Sequence, residues 1–132
     1  MNTIALCAAL FILYKLYRKF FSTSTSRMVS SAVKTKVEGL IKSKPIFVAS
    51  KTYCPYCSAS KKTLDSLDAD AYILELDTLS DGDEIQAALA EISGQRTVPN
   101  IYIGGEHIGG NSDLQALKSN GKLVSKIKAS KL

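Results

Sequence analysis

Two cysteines separated by two residues, Cys54 and Cys57, have the types and the spacing best suited to chemistry in this sequence. Such a pair is compatible with a redox dithiol, with half of a zinc site, or with two unrelated core thiols. A tetrahedral zinc site needs about four ligands, and His107 is the single histidine that could join the two thiols. A closed Cys/His zinc site is therefore short of ligands, and we predict a redox-active dithiol and no metal site. His107 itself is expected to be structural or exposed.

The surroundings of the two cysteines predict a different role for each. A short buried strand at residues 46–49 precedes Cys54, and a helix is predicted to begin directly after it. Cys54 then lies near the N-cap, where unpaired N–H groups and the positive end of the helix dipole stabilise a thiolate. Pro55 suits the first helical position because the N–H that it lacks would have no partner there. With Lys51 adding positive charge upstream, we predict that Cys54 is the nucleophile and that Cys57, one turn further on, is the resolving thiol.

The elements that must position this dithiol follow in a regular order from Ser30 onward. Apolar periodicity and turn residues predict helices at 30–43, after Cys54 as far as Leu67, at 83–92, 111–118 and 122–131, and strands at 46–49, 72–76, 100–103 and 106–108. Gly104 and Gly105 mark a hairpin between the last two strands. Helices and strands that alternate before a terminal hairpin imply an α/β fold, with a mixed sheet covered by helices.

Composition and charge limit the classes of function. The chain has 132 residues, of which 45% are hydrophobic, so it is long and apolar enough for one domain with a core. Its net charge is +5, but residues 1–28 carry four of the 17 basic residues and none of the 12 acidic ones. The rest of the chain is therefore nearly neutral, and the charge is no argument for nucleic-acid binding.

Residues 1–27 are predicted to form a segment of their own, ahead of a domain at 30–132. Residues 4–14 are apolar and are followed by a basic and aromatic run. As a helix, the apolar part would span roughly 16 Å, about half of a hydrocarbon core of ~30 Å. The lack of acidic residues favours a mitochondrial presequence, with a membrane anchor that leaves the domain in the cytosol, or an incidental tail, as alternatives. Because Met28 could start a shorter 105-residue product, we predict both cytoplasmic and mitochondrial forms.

Three motifs in sequence order resemble a dithiol glutaredoxin, most of all the fungal cytosolic and mitochondrial ones. They are Lys51-Thr52-Tyr53-Cys54-Pro55-Tyr56-Cys57, Thr97-Val98-Pro99 and Gly109-Gly110-Asn111-Ser112-Asp113-Leu114. The resemblance covers residues 30–132 and implies a thioredoxin fold, that is, a four-stranded mixed β-sheet flanked by α-helices on both faces. A thioredoxin would have Trp before its first cysteine, and this chain has no Trp. Monothiol relatives would have Ser in place of Cys57.

The resemblance also implies a groove for glutathione, which carries two carboxylates, an α-amino group and a peptide backbone. Lys51 and Gln86 are expected to hold the glycyl carboxylate, with Arg96 as a candidate for an additional cation. Val98 is expected to pair its backbone with the cysteinyl unit, beside a cis Pro99.

The other end of the implied groove is the start of a helix after Gly110. Its N–H groups would bind the γ-glutamyl carboxylate, and Asp113 would meet the α-ammonium. Taken alone, Ser112 and Asp113 would be helix-capping residues. Tyr53 and Tyr56 would form walls of the site. The implied glutathione-binding set is Lys51, Tyr53, Cys54, Tyr56, Gln86, Thr97, Val98, Pro99, Gly110, Ser112 and Asp113.

The function implied is a glutathione-dependent thiol–disulfide oxidoreductase that reduces protein–glutathione mixed disulfides and protein disulfides. Cys54 and Cys57 would form its redox disulfide, and glutathione would be a co-substrate, with no tightly bound cofactor. A monomer that acts in electron transport and in the oxidative stress response is implied. Its partners would be glutathionylated and disulfide-containing proteins, and a separate reductase would recycle glutathione disulfide.

The alternative function is that of an iron–sulfur carrier, in which two protomers and two glutathiones bridge a cluster. Cluster binders of the family generally have Gly or Ser where this chain has Pro55. Pro55 therefore favours the enzyme.

Overall fold

The order of helices and strands is the predicted one. The computed structural model describes the backbone of residues 3–21 and 29–132 and the side chains of residues 7–17 and 29–132. The helices are α1 (Thr3–Phe21), α2 (Ser31–Ser43), α3 (Pro55–Ser66), α4 (Gly82–Ser93), α5 (Asn111–Ser119) and α6 (Lys122–Ser130). The strands are β1 (Ile46–Ser50), β2 (Tyr72–Glu75), β3 (Asn100–Ile103) and β4 (Glu106–Gly109), and a short 3-10 helix, Leu76–Thr78, follows β2. The predicted ends after residue 29 differ from these by no more than one residue.

Side-chain hydrogen bonds explain where two of these elements begin and end. The Ser30 side chain accepts a bond of 3.2 Å from the backbone N–H of Val33 and so caps α2. The prediction that β2 continues to Leu76 is wrong by one residue. The strand ends at Glu75 because the Thr78 hydroxyl donates to the Glu75 carbonyl at 2.8 Å and closes the 3-10 turn.

The four strands form one mixed sheet in the order β2-β1-β3-β4. β1 is parallel to β2 and antiparallel to β3, which in turn is antiparallel to β4. All five residues of the central strand β1 are buried. Because β1 and β3 run in opposite directions, the end of β1 lies beside the start of β3, where Ala49 is opposite Asn100. The loop that follows β1 and the loop that precedes β3 therefore meet at one end of the sheet.

Helices pack on both faces of this sheet, as predicted. Phe47 and Ala49 of β1 join a buried cluster with side chains of α2 and α4. Ile46 and Val48 point to the opposite face and join a second cluster with side chains of α3, α5 and α6. This alternation along β1 is the period of two that a strand requires. It places α3 and α5 on the same face of the sheet.

The N-terminal segment forms a longer helix than its apolar stretch alone. α1 continues from the apolar residues 4–14 through the basic and aromatic run to Phe21. The side chains of residues 7–17 are exposed. Among the described residues, no helix combines the length and the apolar character needed to cross a membrane. Met28 lies outside the described residues, so the shorter product stays a prediction, as does the division of the chain at residues 27–30.

Candidate active site

The two cysteines lie where the loop after β1 enters α3. Cys54 is the N-cap residue, with φ −84° and ψ 119°, and Pro55 occupies the first helical position. Both cysteines are free thiols; Cys54 is half-buried, whereas Cys57 is fully buried. The outer sulfur thus lies beside the unpaired N–H groups of the helix start, and the inner sulfur lies behind it. This is the arrangement that the sequence indicates.

The helix start lowers the pKa of the Cys54 thiol. Partial burial acts the other way and raises this pKa, but the backbone N–H and the thiol of Cys57, together with the backbone N–H of Tyr56, stabilise the charged sulfur and outweigh burial. The positive charge of Lys61 lowers the pKa further. The Cys54 thiolate is therefore populated at a lower pH than that of an ordinary cysteine, and the thiolate is the nucleophilic form.

Lys61 contributes a positive charge near Cys54 that the sequence analysis did not consider. Lys61 lies two turns along α3, and its Nζ is 2.7 Å from the Oε1 atom of Glu75 in a half-buried ion pair. The charge of Lys51 lowers the pKa of Asp77, after the hydrogen bonds that Asp77 accepts. The effect of Lys61 follows from its position two turns along α3 from Cys54. The role of Lys51 beside Cys54 stays a prediction.

Cys57 is perturbed in the direction opposite to Cys54. Burial has the largest effect and raises the pKa of the Cys57 thiol. A hydrogen bond with the Lys51 backbone lowers this pKa by less, the neighbouring Cys54 raises it, and the Ser50 hydroxyl lowers it slightly. Cys57 therefore stays protonated when Cys54 is a thiolate, and its thiol donates to the Cys54 sulfur. The Cys54 thiol therefore ionises more readily than the Cys57 thiol.

The loop before β3 lies opposite the dithiol. The Val98–Pro99 peptide bond is cis, as expected. The carbonyl oxygen of Val98 is 3.9 Å from the sulfur of Cys54, which donates to it. The structure therefore brings together two motifs that are separated by 44 positions in the sequence.

Asp77 fixes the loop that leads into the dithiol, and the sequence analysis did not find it. Its Oδ1 atom accepts a 3.0 Å bond from the backbone N–H of Thr52, and its Oδ2 atom accepts the Thr52 hydroxyl. These bonds are the main reason that the pKa of Asp77 lies below its usual range. The available signal was position: Asp77 follows β2, and the parallel strands β1 and β2 end at the same edge.

The start of α5 is built around Asp113 and two glycines. The Oδ2 atom of Asp113 accepts a 3.0 Å bond from the backbone N–H of Gly110, which is the one half of a capping box that a glycine N-cap allows. Gly109 has a φ of 119°, and a Cβ atom there would collide with the Asp113 carboxylate. Gly109 therefore must be glycine, whereas the glutathione-binding role of Gly110 stays a prediction. Ser112 and Asp113 are exposed beside this turn.

The remaining predicted groove residues are at the surface. Tyr53 and Tyr56, on either side of the nucleophile, are 72% and 67% exposed. The Nε2 atom of Gln86 in α4 donates to the carbonyl oxygen of Arg96 at 2.9 Å. Gln86 thus supports the loop before β3 in addition to any contact with a ligand. Lys51 is half-buried in the loop ahead of the dithiol.

Fold and site together define a class of protein. The sheet order, the helices on both faces, the dithiol at the start of α3 and the cis-proline loop opposite it are those of a thioredoxin-fold dithiol oxidoreductase. The sequence profile described as Glutaredoxin matches residues 46–108. A glutaredoxin of Ricinus communis is 58% identical over 90 residues, which are 68% of this chain and 88% of that protein. The chain belongs to the glutaredoxin family, and it is a glutathione-dependent thiol–disulfide oxidoreductase.

Two further comparisons agree with this assignment. Glutaredoxin-1 of Saccharomyces cerevisiae is 54% identical over 100 residues, which are 73% of this chain and 91% of that protein. The crystal structure of a buckwheat glutaredoxin–glutathione complex superimposes with a TM-score of 0.76 at 46% sequence identity, over 81% of this chain and 96% of that one. The chain therefore resembles plant and fungal glutaredoxins in sequence and a plant glutaredoxin in fold.

Proposed function

We propose that Cys54 is the nucleophile and Cys57 the resolving thiol, and that the substrates are protein–glutathione mixed disulfides and protein disulfides. The observation that carries this proposal is the contrast between the two sulfurs. Cys54 is accessible and its pKa is lowered, whereas Cys57 is fully buried and its pKa is raised. A low pKa favours both the attacking thiolate and its later departure as a leaving group.

The reaction with a glutathionylated protein needs only the outer sulfur. The Cys54 thiolate attacks the glutathione sulfur, so that a Cys54–glutathione disulfide forms, the bond to the protein breaks and the protein thiolate leaves. The thiolate of a second glutathione then attacks the bound glutathione sulfur. Glutathione disulfide is released, and the Cys54 thiolate is restored.

The reaction with a protein disulfide needs both sulfurs. Cys54 attacks one sulfur of the substrate to form a mixed disulfide, and a proton passes to the leaving thiolate. Cys57 then gives up its proton and attacks Cys54, which forms the Cys54–Cys57 disulfide and releases the reduced protein. Two glutathione molecules reduce the enzyme again.

A groove beside Cys54 would hold glutathione in position for these steps. The proposal is supported by the carbonyl of Val98, which lies against the nucleophilic sulfur, and by the helix start at Gly110, which offers N–H groups to a carboxylate. Asp113 would bind the α-ammonium with the carboxylate oxygen that does not cap α5. Lys51 would hold the glycyl carboxylate, with Gln86 and Arg96 near its end of the groove.

The proposed partners are glutathionylated and disulfide-containing proteins. They would approach a monomeric enzyme at the surface where Tyr53 and Tyr56 are exposed. A separate reductase would recycle glutathione disulfide, so that the enzyme takes part in electron transport and in the response to oxidative stress. The alternative of an iron–sulfur carrier is not favoured, since Pro55 stands at the first position of α3.

We also propose that residues 1–27 direct a part of the protein to mitochondria and that a form beginning at Met28 remains in the cytoplasm. The acid-free composition of this segment supports targeting. A membrane anchor facing the cytosol is the alternative. The catalytic motifs would all lie in a domain at residues 30–132.

Two variants test the assignment of the sulfurs. Cys57→Ser is expected to retain turnover of a small glutathione mixed disulfide, because that reaction uses one protein thiol and external glutathione. Cys54→Ser is expected to abolish it, and both variants should fail to reduce a protein disulfide through the dithiol route. Turnover is followed by the NADPH that glutathione reductase consumes. Normal turnover by Cys54→Ser would show that the nucleophile is assigned wrongly.

A further inference from the structure

Gln95, in the connection between α4 and β3, holds the loop that faces the nucleophile. Its Nε2 atom donates to the carbonyl oxygen of Thr97 at 3.1 Å and to that of Pro99 at 2.8 Å. The carbonyls on both sides of Val98 are thus directed to Gln95, whereas the carbonyl of Val98 itself is directed to the Cys54 sulfur. One side-chain amide therefore holds the carbonyls on either side of the one that faces Cys54.

The two carbonyls determine the orientation of this amide, and His107 binds its other end. Because Nε2 of Gln95 donates to two carbonyls, the atom that faces Nε2 of His107 at 3.2 Å is the oxygen Oε1. The same ring nitrogen is 3.0 Å from Oδ1 of Asn100, whose Nδ2 donates to Ser93 at 3.3 Å. Both neighbours of the nitrogen are acceptors, so Nε2 of His107 carries the hydrogen. The single histidine of the chain is thereby fixed in one tautomer.

The network reaches the core of the domain through Asn100 and Ser93. Asn100 is 1% exposed, and the Ser93 hydroxyl donates to the carbonyl of Leu89 in α4 at 2.8 Å. The ring of His107 lies over that of Tyr102, with centroids 5.0 Å apart. His107 is exposed and Asn100 is buried, so the network joins the surface to the core and restricts the conformations of the groups that it holds. The loop is thus held from α4, β3 and β4 together.

We propose that Gln95, which His107 binds at the oxygen of its amide, is a positioning residue for glutathione. By fixing the direction of the Val98 backbone, it would place the cysteinyl unit of glutathione so that its sulfur meets Cys54. Binding would then not have to order this loop, which would otherwise weaken the affinity. The inference rests on the proposed groove, in which Val98 pairs with glutathione.

Two substitutions at Gln95 test whether its side chain positions the Val98 backbone or only anchors His107. Gln95→Met removes every hydrogen bond of the side chain, and Gln95→Glu keeps an acceptor for His107 but repels the two loop carbonyls. We expect both variants to raise the KM for the glutathione mixed disulfide by about tenfold, the effect of losing a hydrogen bond of typical strength. The rate at which a neutral reagent alkylates Cys54 should stay within about twofold of wild type, because a neutral reagent does not use the groove. A wild-type KM for Gln95→Glu would overturn the proposal, since a residue that merely anchors His107 would be rescued by the carboxylate.

A histidine variant and a control complete the experiment. His107→Phe keeps a ring on Tyr102 but loses the donor to Gln95, and we expect a rise in KM of about threefold that does not add to that of Gln95→Met. Glu106→Gln changes an exposed neighbour on β4, which pairs with Lys126, and should leave the KM unchanged. If the Gln95 variants unfold, as a melting curve would show, His107→Phe decides: an unchanged KM rejects the proposal. Absence of glutathione-dependent turnover in the wild type would instead reject the proposed function.

Discussion

The sulfur of Cys54 lies 3.9 Å from the carbonyl oxygen of Val98, to which its thiol donates. A thiolate cannot donate, so this hydrogen bond is lost when Cys54 ionises, whereas the carbonyl keeps a lone pair for a second donor in either state. In the proposed groove, an N–H of glutathione that binds this carbonyl would lie beside the nucleophilic sulfur.

Lys61 is expected to set the reactivity of Cys54 at neutral pH. Lys61→Met removes a charge that lowers the Cys54 pKa, so alkylation of Cys54 at about pH 7 should slow by roughly twofold, and the midpoint of its pH profile should rise. Glu75→Gln frees Lys61 from its 2.7 Å partner and should shift the midpoint in the opposite direction. Lys62→Met, which changes the exposed neighbour, is the control. Equal profiles for Lys61→Met and Lys62→Met would contradict this role.

Asp113 is expected to have two functions that substitutions can separate. Asp113→Asn keeps an oxygen that can cap Gly110 but loses the charge, so it should keep its urea midpoint and raise the KM for the glutathione mixed disulfide by roughly 10- to 100-fold. Asp113→Ala should show the same KM effect and also lose about 1 kcal/mol of unfolding free energy with the cap. Glu84→Gln, in the first turn of α4, is the matched control. Unchanged kinetics in Asp113→Asn would leave Asp113 as a helix cap only.

Asp77 is expected to stabilise the fold in a pH-dependent way. Its pKa is lowered in the folded chain, so the unfolded chain binds the proton more readily, and the stabilisation is present above the unfolded pKa of about 3.9. It is lost as the pH falls through the lower folded value. Asp77→Asn should therefore lower the urea midpoint at about pH 7 and weaken its dependence on pH in the acid range. Asp70→Asn, which changes an exposed aspartate, serves as the control. The assignment would be refuted if the urea midpoints of the wild type and of Asp77→Asn fell equally as the pH is lowered.

The N-terminal segment is expected to act in targeting and not in catalysis. A chain that begins at Met28 should match the full chain in kcat and KM, because every catalytic motif lies after that residue. In cells, Met28→Leu should remove the cytosolic 105-residue form and leave the imported form, as immunoblots of separated fractions would show. A single uncleaved 132-residue species that only detergent extracts would favour the membrane anchor instead.

Much of the site could be predicted from the sequence because it depends on interactions between residues that are close together along the chain. The N-cap position of Cys54 and the helical start at Pro55 follow from the preferences of adjacent residues, and both are confirmed. The strands were predictable for the same reason, since the apolar pattern of 46–49 reports burial on both faces. The end of β2 differed because a contact between the Thr78 side chain and the backbone outweighed the apolar pattern.

What the sequence determined by itself was the order of elements, the dithiol, and the motifs that resemble the family, because these depend on neighbours along the chain. Only the tertiary structure decided that the carbonyl of Val98 lies against the sulfur of Cys54, which is 44 positions away in the sequence. It also decided that Asp77 anchors Thr52 and that Gln95 and His107 hold the loop at Val98. The physical reason is that electrostatic effects and hydrogen bonds depend on distance in space. The sheet places residues from separate strands within a few ångströms, and no spacing in the sequence expresses that distance.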